Sequence, residues 1–151
     1  MSLDDDIRVL TGVDLFDGFT QEQLRLLAFG AENLRLPAGR QLYLEGVPAD
    51  GAYVVARGSI SLYRDRDGER VVITTVGPGA LLGELALISD TDRLTGAFAA
   101  TDAEVMRLNR KLFRRILEEY PDVAIALHRR VANDLQMLVS RIQKLAPKFS
   151  E

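Results

Sequence analysis

Apolar and polar residues follow three different rhythms along the chain. In the first thirty residues the spacing is helical. Asp4 to Leu10 reads as a short helix that ends near Thr11-Gly12. Thr20 and Gln23 form the pattern of a capping box ahead of "QEQLRLLAFGA", where Leu24, Leu27 and Ala28 share one face. From Asn33 the rhythm changes to short alternating runs, "NLRL", "RQLYL", "AYVVA", "SISLYR", "RVVITTV", "GAFAAT" and "AEVMRL". Turn residues separate them: Pro37-Ala38-Gly39, Glu45-Gly46, Asp50-Gly51, Arg57-Gly58, Asp67-Gly68 and Gly77-Pro78-Gly79. Many short strands broken by such turns predict an antiparallel sandwich or barrel. Asp67-Gly68 is a strong hairpin signal, because glycine accepts the positive φ that tight hairpin turns require.

From Asn109 the helical period returns. Leu112, Phe113, Ile116 and Leu117 fall on one side of "RKLFRRILEEY", and Pro121 suits the first turn of a further helix, running to about Lys144 before Pro147 ends it. Within that helix apolar residues stand at Leu127, Val131, Leu135, Leu138, Ile142 and Leu145. From Val131 the steps are four, three, four and three, the heptad spacing of a dimer seam. His128 sits one heptad before Leu135 and reads as an interface residue. The alternative is a helix packed on its own β core. The predicted organisation is one domain over 1–151: N-terminal helices, an all-β core at about 31–109, and two C-terminal helices at about 110–145, the second carrying the dimer seam.

Composition narrows the chemistry. The chain has 151 residues, 47% hydrophobic and 27% charged, with a formal net charge of −3. That fits one soluble globular domain with a sizeable core. The acidic balance argues against a nucleic-acid face, and Arg129-Arg130 and Lys111/Arg114/Arg115 read as solvated helix surfaces. With no cysteine and one histidine, disulfides, thiolate zinc sites and most catalytic triads cannot be built. No P-loop, H-E-x-x-H or serine-elbow motif is present. The expectation is a non-enzyme. "MSLDDD" is no signal sequence, and no apolar run approaches the ~18 residues of a membrane helix. The expected location is the cytoplasm.

One segment carries candidate chemistry: "GELALISDTDR", Gly83 to Arg93. Four helix formers, Glu84 to Leu87, follow a glycine inside a β region and predict a single helical turn. The first amides of such a turn lack partners within it and attract an anion. Gly83 permits close backbone approach. Arg93, after the turn Ser89 to Asp92, can swing back over the same place. A guanidinium with helix-end amides makes a phosphate cradle. Glu84 repels a phosphate but accepts a hydrogen bond from a neighbouring hydroxyl, so a sugar phosphate would satisfy both ends. The competing reading is a surface ion pair between Glu84 and Arg93, of the kind that contributes only ~0–1 kcal/mol.

This segment resembles the phosphate-binding cassette of the cyclic nucleotide-binding domain family, which includes Crp/Fnr-like sensors and the regulatory subunits of cAMP-dependent kinase. "PAGRQLYLEGVPADGAYVVARGSISLY" matches the family's opening strands, and the likeness runs from about Phe16 to Leu145. It implies a mainly β fold, a β-roll or jelly roll with flanking helices, and cAMP or cGMP as ligand. Glu84 would hold the ribose 2′-hydroxyl and Arg93 the cyclic phosphate, with backbone from Gly83, Leu85 and Ala86. Leu94 stands where the family carries a small residue, so its bulk is expected to limit binding; Thr95, next to it, offers a hydroxyl. Leu138 and Val139 fall where the family reads adenine, and neither can hydrogen-bond a base. The expected partners are the nucleotide, a second copy of the chain through the C-terminal helix, and an unidentified protein. After Lys144 only "LAPKFSE" remains, so DNA contact by this chain alone is not expected. Two alternatives stand beside the regulatory module: the sensor part of a Crp/Fnr-like transcription regulator, and a degenerate domain that dimerises without nucleotide.

Overall fold

Alternation becomes antiparallel pairing between residues 32 and 109. In the computed structural model, which describes residues 2–130, 132, 133 and 136, ten strands are formed. They are β1 (Glu32–Leu36), β2 (Gln41–Tyr43), β3 (Pro48–Ala49), β4 (Gly51–Arg57), β5 (Ile60–Arg66), β6 (Glu69–Val76), β7 (Leu81–Leu82), β8 (Thr91–Asp92), β9 (Gly96–Ala99) and β10 (Ala103–Asn109). Two four-stranded sheets result, ordered β1-β10-β4-β7 and β2-β9-β5-β6, with β3 and β8 as a separate pair. Every pairing is antiparallel. The two inner faces enclose a core of Leu36, Val55, Ile60, Leu82, Ala97, Ala99 and Val105. This is the antiparallel sandwich that the alternation predicted, of the jelly-roll class that the family resemblance implied.

Three helices flank the strands: α1 (Leu3–Thr11), α2 (Gln21–Gly30) and α3 (Arg110–Glu119). Both capping boxes at their starts form. Gln23 N–H donates to Thr20 Oγ1 at 3.2 Å while Thr20 N–H donates to Gln23 Oε1 at 2.8 Å. Ser2 and Asp5 repeat the arrangement ahead of α1, a cap not read in the sequence. Helix α1 lies against β4 and α2 against β10. Successive side chains of a strand point to opposite faces, so Ala52 and Val54 turn away from Tyr53 and Val55, yet all four are buried. A strand covered on both sides needs apolar residues at every position, which is what "AYVVA" supplies. Phe16, Phe19 and Phe113 join the helices through ring contacts at centroid distances of 5.1 to 6.3 Å.

Two turn expectations resolve differently. Asp67 and Gly68 take φ values of 54° and 81°, the left-handed pair of a tight hairpin between β5 and β6. Asp50-Gly51, read as a turn, instead places Gly51 at the start of β4, opposite Asn109. A Cβ at Gly51 would collide with the Leu108 carbonyl, so the glycine serves close backbone approach. Strand β6 departs further from its pattern. "RVVITTV" counts among the short apolar runs, but residues 69–75 are all exposed, on the outer edge of its sheet.

The chain divides into two compact units after Ile116. Residues 121–130 are helical, and within this second unit Leu127 is buried. The heptad positions Val131, Leu135, Leu138, Ile142 and Leu145, and Val139 with them, lie outside the described residues. Among the described residues no helix is long and apolar enough to cross a membrane.

Candidate functional site

Gly83 to Thr95 folds around the mouth of a cavity of about 390 Å³. All seven residues singled out in the sequence line it: Gly83, Glu84, Leu85, Ala86, Arg93, Leu94 and Thr95. Glu84–Leu87 forms one turn of 3₁₀ helix, closed by Ala86 N–H donating to the Gly83 carbonyl at 3.0 Å. Gly83 precedes it in the left-handed region, at φ 76° and ψ 40°. A side chain there would be strained, and its Cβ would collide with Nη1 of Arg93. The glycine therefore makes room for the arginine as well as for the turn.

Arg93 is 7% exposed, which removes the surface ion pair as its explanation. Its backbone is fixed twice: its N–H donates to the Val47 carbonyl and its carbonyl accepts from Gly46 N–H, both at 2.8 Å. The preceding pair β3–β8 sets this register, with Pro48 opposite Asp92 and Ala49 opposite Thr91. The side chain then turns inward. Nη2 donates to the Gly51 carbonyl at 2.8 Å. Cζ lies 4.4 Å from the centre of the Tyr43 ring and 5.4 Å from that of Tyr53. Nη1 is buried and has no hydrogen-bond partner among the described residues. A buried cationic donor left without an acceptor costs on the order of 1–3 kcal/mol or more.

The remaining walls are mostly apolar, with Ala49, Leu62, Leu81 and Leu82 joining the cassette residues. Leu94 stands at the mouth but is 70% exposed. Its bulk therefore extends into solvent rather than into the cavity. The Thr95 side chain lies beside the Tyr43 phenol. Burial pushes the Tyr43 phenol above its ordinary pKa, with the Arg93 charge and the Thr95 side chain pulling weakly the other way. The phenol is thus neutral at ordinary pH.

Residues 33–120 match the family model described as the cyclic nucleotide-binding domain. The chain belongs to this family. A cyclic nucleotide-binding-like protein from Brucella abortus is 60% identical to it and has a solved structure of TM-score 0.70, over 76% of this chain and 99% of that one. The cyclic AMP receptor protein of Thermus thermophilus is 28% identical over 76% of this chain and 54% of its own length. Lysophospholipase NTE1 of Chaetomium globosum is 30% identical over 74% of this chain but only 7% of its own length. The chain therefore spans about half of one curated relative and a small part of the other.

For a cyclic nucleotide-binding domain, this cassette has three neighbours that the sequence reading missed: Tyr43, Tyr53 and Gly51. The aromatic pair sits in β2 and β4, and Gly51 is 42 residues from Arg93. Arg110, the first residue of α3, is a fourth. Its Nη1 donates to the carbonyls of Ala49, Ala86 and Ser89 at 3.2, 3.4 and 2.7 Å. Its Nη2 pairs with Asp90 Oδ1 at 2.6 Å.

Proposed function

We propose that the chain is a regulatory module that takes a cyclic nucleotide, cAMP or cGMP, into this cavity, and that it performs no catalysis itself. The observation that carries the reading is the buried, unpaired Nη1 of Arg93. Around it, the glycine, the helical turn and an apolar cavity of about 390 Å³ fit a nucleotide-sized ligand. In this reading Arg93 binds the cyclic phosphate, Glu84 accepts from the ribose 2′-hydroxyl, and backbone at Gly83, Leu85 and Ala86 completes the cradle. Charge supports a phosphodiester. Arg93 is the one cation lining the cavity among the described residues, while Glu84 and Asp92 are acidic. A singly charged cyclic phosphate is matched by one guanidinium; the second charge of a phosphomonoester has no counterpart and faces two carboxylates.

Weak choice between adenine and guanine follows from two features. The Thr95 side chain lies beside the Tyr43 phenol, which competes for its hydroxyl, and Leu138 and Val139 offer no polar group. The output route is through Arg110, which holds the carbonyl end of the cassette turn and begins α3. A ligand alters that route only to the extent that it binds one arrangement better than the other. Isothermal titration with cAMP, cGMP and 5′-AMP tests the proposal. Saturable binding of the cyclic nucleotides is expected, with 5′-AMP weaker by about tenfold or more, that is ~1.4 kcal/mol. No binding, or 5′-AMP binding equally well, would count against it.

A further inference from the structure

A buried guanidinium must be held by something, and the usual holder is a carboxylate. That solution neutralises the charge and competes with any anionic ligand. Among the described residues, the groups seen to hold Arg93 are instead neutral. Nη2 rests on the Gly51 carbonyl, which cannot drift, because Gly51 abuts the Leu108 backbone. The guanidinium carbon lies over Tyr43 and Tyr53, whose rings are 5.8 Å apart and 25° from parallel. An aromatic face attracts a cation through its quadrupole without cancelling the charge.

We infer that Tyr43 and Tyr53 are positioning residues of the anion site: they form an aromatic wall that fixes Arg93 in its ligand-ready pose and leaves Nη1 and the full charge open to a phosphodiester. This rests on the reading of Arg93 as the phosphate-binding residue. The wall is itself pinned. Tyr43 pairs with Ala97 across β2 and β9, and its side chain lies beside that of Thr95. Tyr53 pairs with Leu82 across β4 and β7, next to Gly83 at the start of the cassette. The same rings therefore connect the arginine, the segment after it and the strand that leads into the helical turn. The role needs the ring of Tyr43 rather than its hydroxyl, since the cation sits over the face. That separates it from a general packing role, for which an aliphatic side chain of similar size would serve.

Two measurements on the full chain test the wall. In NMR spectra of the ligand-free protein, the Arg93 Nη protons are expected to be resolved and shifted upfield by the ring currents. Tyr43→Phe should keep that signature, and Tyr43→Leu should lose it; Tyr43→Met is the second aliphatic variant if the leucine form does not fold. In calorimetry with cAMP, Tyr43→Phe is expected within about threefold of the parent and the aliphatic variant about tenfold weaker, within the range of a desolvated cation–aromatic contact. Arg93 signals that are averaged in the parent, or a loss that is equal for phenylalanine and the aliphatic residue, would overturn the wall even if cAMP binds tightly. Resolved, ring-shifted Arg93 signals in a parent that binds no cyclic nucleotide would uphold the wall and overturn the nucleotide reading instead.

Discussion

Arg93 and Arg110 approach the same helical turn from opposite ends, and they are satisfied in opposite ways. Arg110 is 17% exposed in its side chain and bonds three carbonyls and a carboxylate. Its backbone N–H donates to Asp50 as well, at 2.9 Å. Arg93 is more deeply buried, yet one of its terminal nitrogens has no acceptor among the described residues. A buried donor that is fully paired stabilises the fold and has nothing left for a ligand. A buried donor without a partner weakens the fold until something arrives. The cassette thus has a fully bonded end, at Ala86 to Asp90, and an end at Gly83 and Arg93 to which the proposed function assigns the ligand.

Substitutions at the two ends should separate binding from stability. Arg93→Ala is expected to weaken cAMP binding by ~2–5 kcal/mol, the range for removing one partner of a buried charged contact. That is about thirtyfold to several thousandfold. Its unfolding free energy without ligand should move by no more than about 1 kcal/mol, since one hydrogen bond and ring contacts are lost while an unpaired donor is relieved. Arg110→Ala should do the reverse. Loss of bonds from a charged group to three carbonyls is expected to cost about 2–3 kcal/mol in denaturant unfolding. The pair with Asp90, which is 96% exposed in its side chain, adds little to that sum. Affinity for cAMP in the folded Arg110→Ala protein should change by less than about tenfold. If Arg93→Ala unfolds the protein, or Arg110→Ala abolishes binding while leaving stability intact, the assignment of the two ends is inverted. The smallest effect is expected at Leu94. The family pattern points to tighter binding on replacement by a small residue. The exposure of this side chain removes the steric reason, and Leu94→Ser should shift affinity by no more than about 0.5 kcal/mol, as surface substitutions do. Clear tightening in a side-by-side titration would show that the leucine turns inward around the ligand.

The cassette was legible because its signals are local. A glycine, four helix formers, a polar turn and an arginine lie within eleven residues, and the turn at Glu84–Leu87 formed where that order placed it. The β architecture was legible for a similar reason, since alternation and turn residues need no knowledge of distant partners. What stayed hidden is whatever depends on pairing across the fold. Tyr43 and Tyr53 reach Arg93 from strands that precede it by 40 residues or more in the chain, and nothing in their spacing marks them. Arg110 looks in sequence like one more cation at the start of a helix. Strand β6 shows the opposite failure. Its residues Val71, Val72 and Ile73 form an apolar run, but periodicity does not say whether a face finds a neighbour, and this strand lies at a sheet edge.

The most direct test of the central claim is a crystal structure of the chain grown with cAMP. A phosphate oxygen is expected within hydrogen-bond distance of Arg93 Nη1, with the Arg93–Gly51 bond and the Tyr43 contact retained and the ribose 2′-hydroxyl directed at Glu84. A nucleotide bound with its phosphate elsewhere, or an Arg93 that has left the tyrosine rings to reach it, would contradict the account.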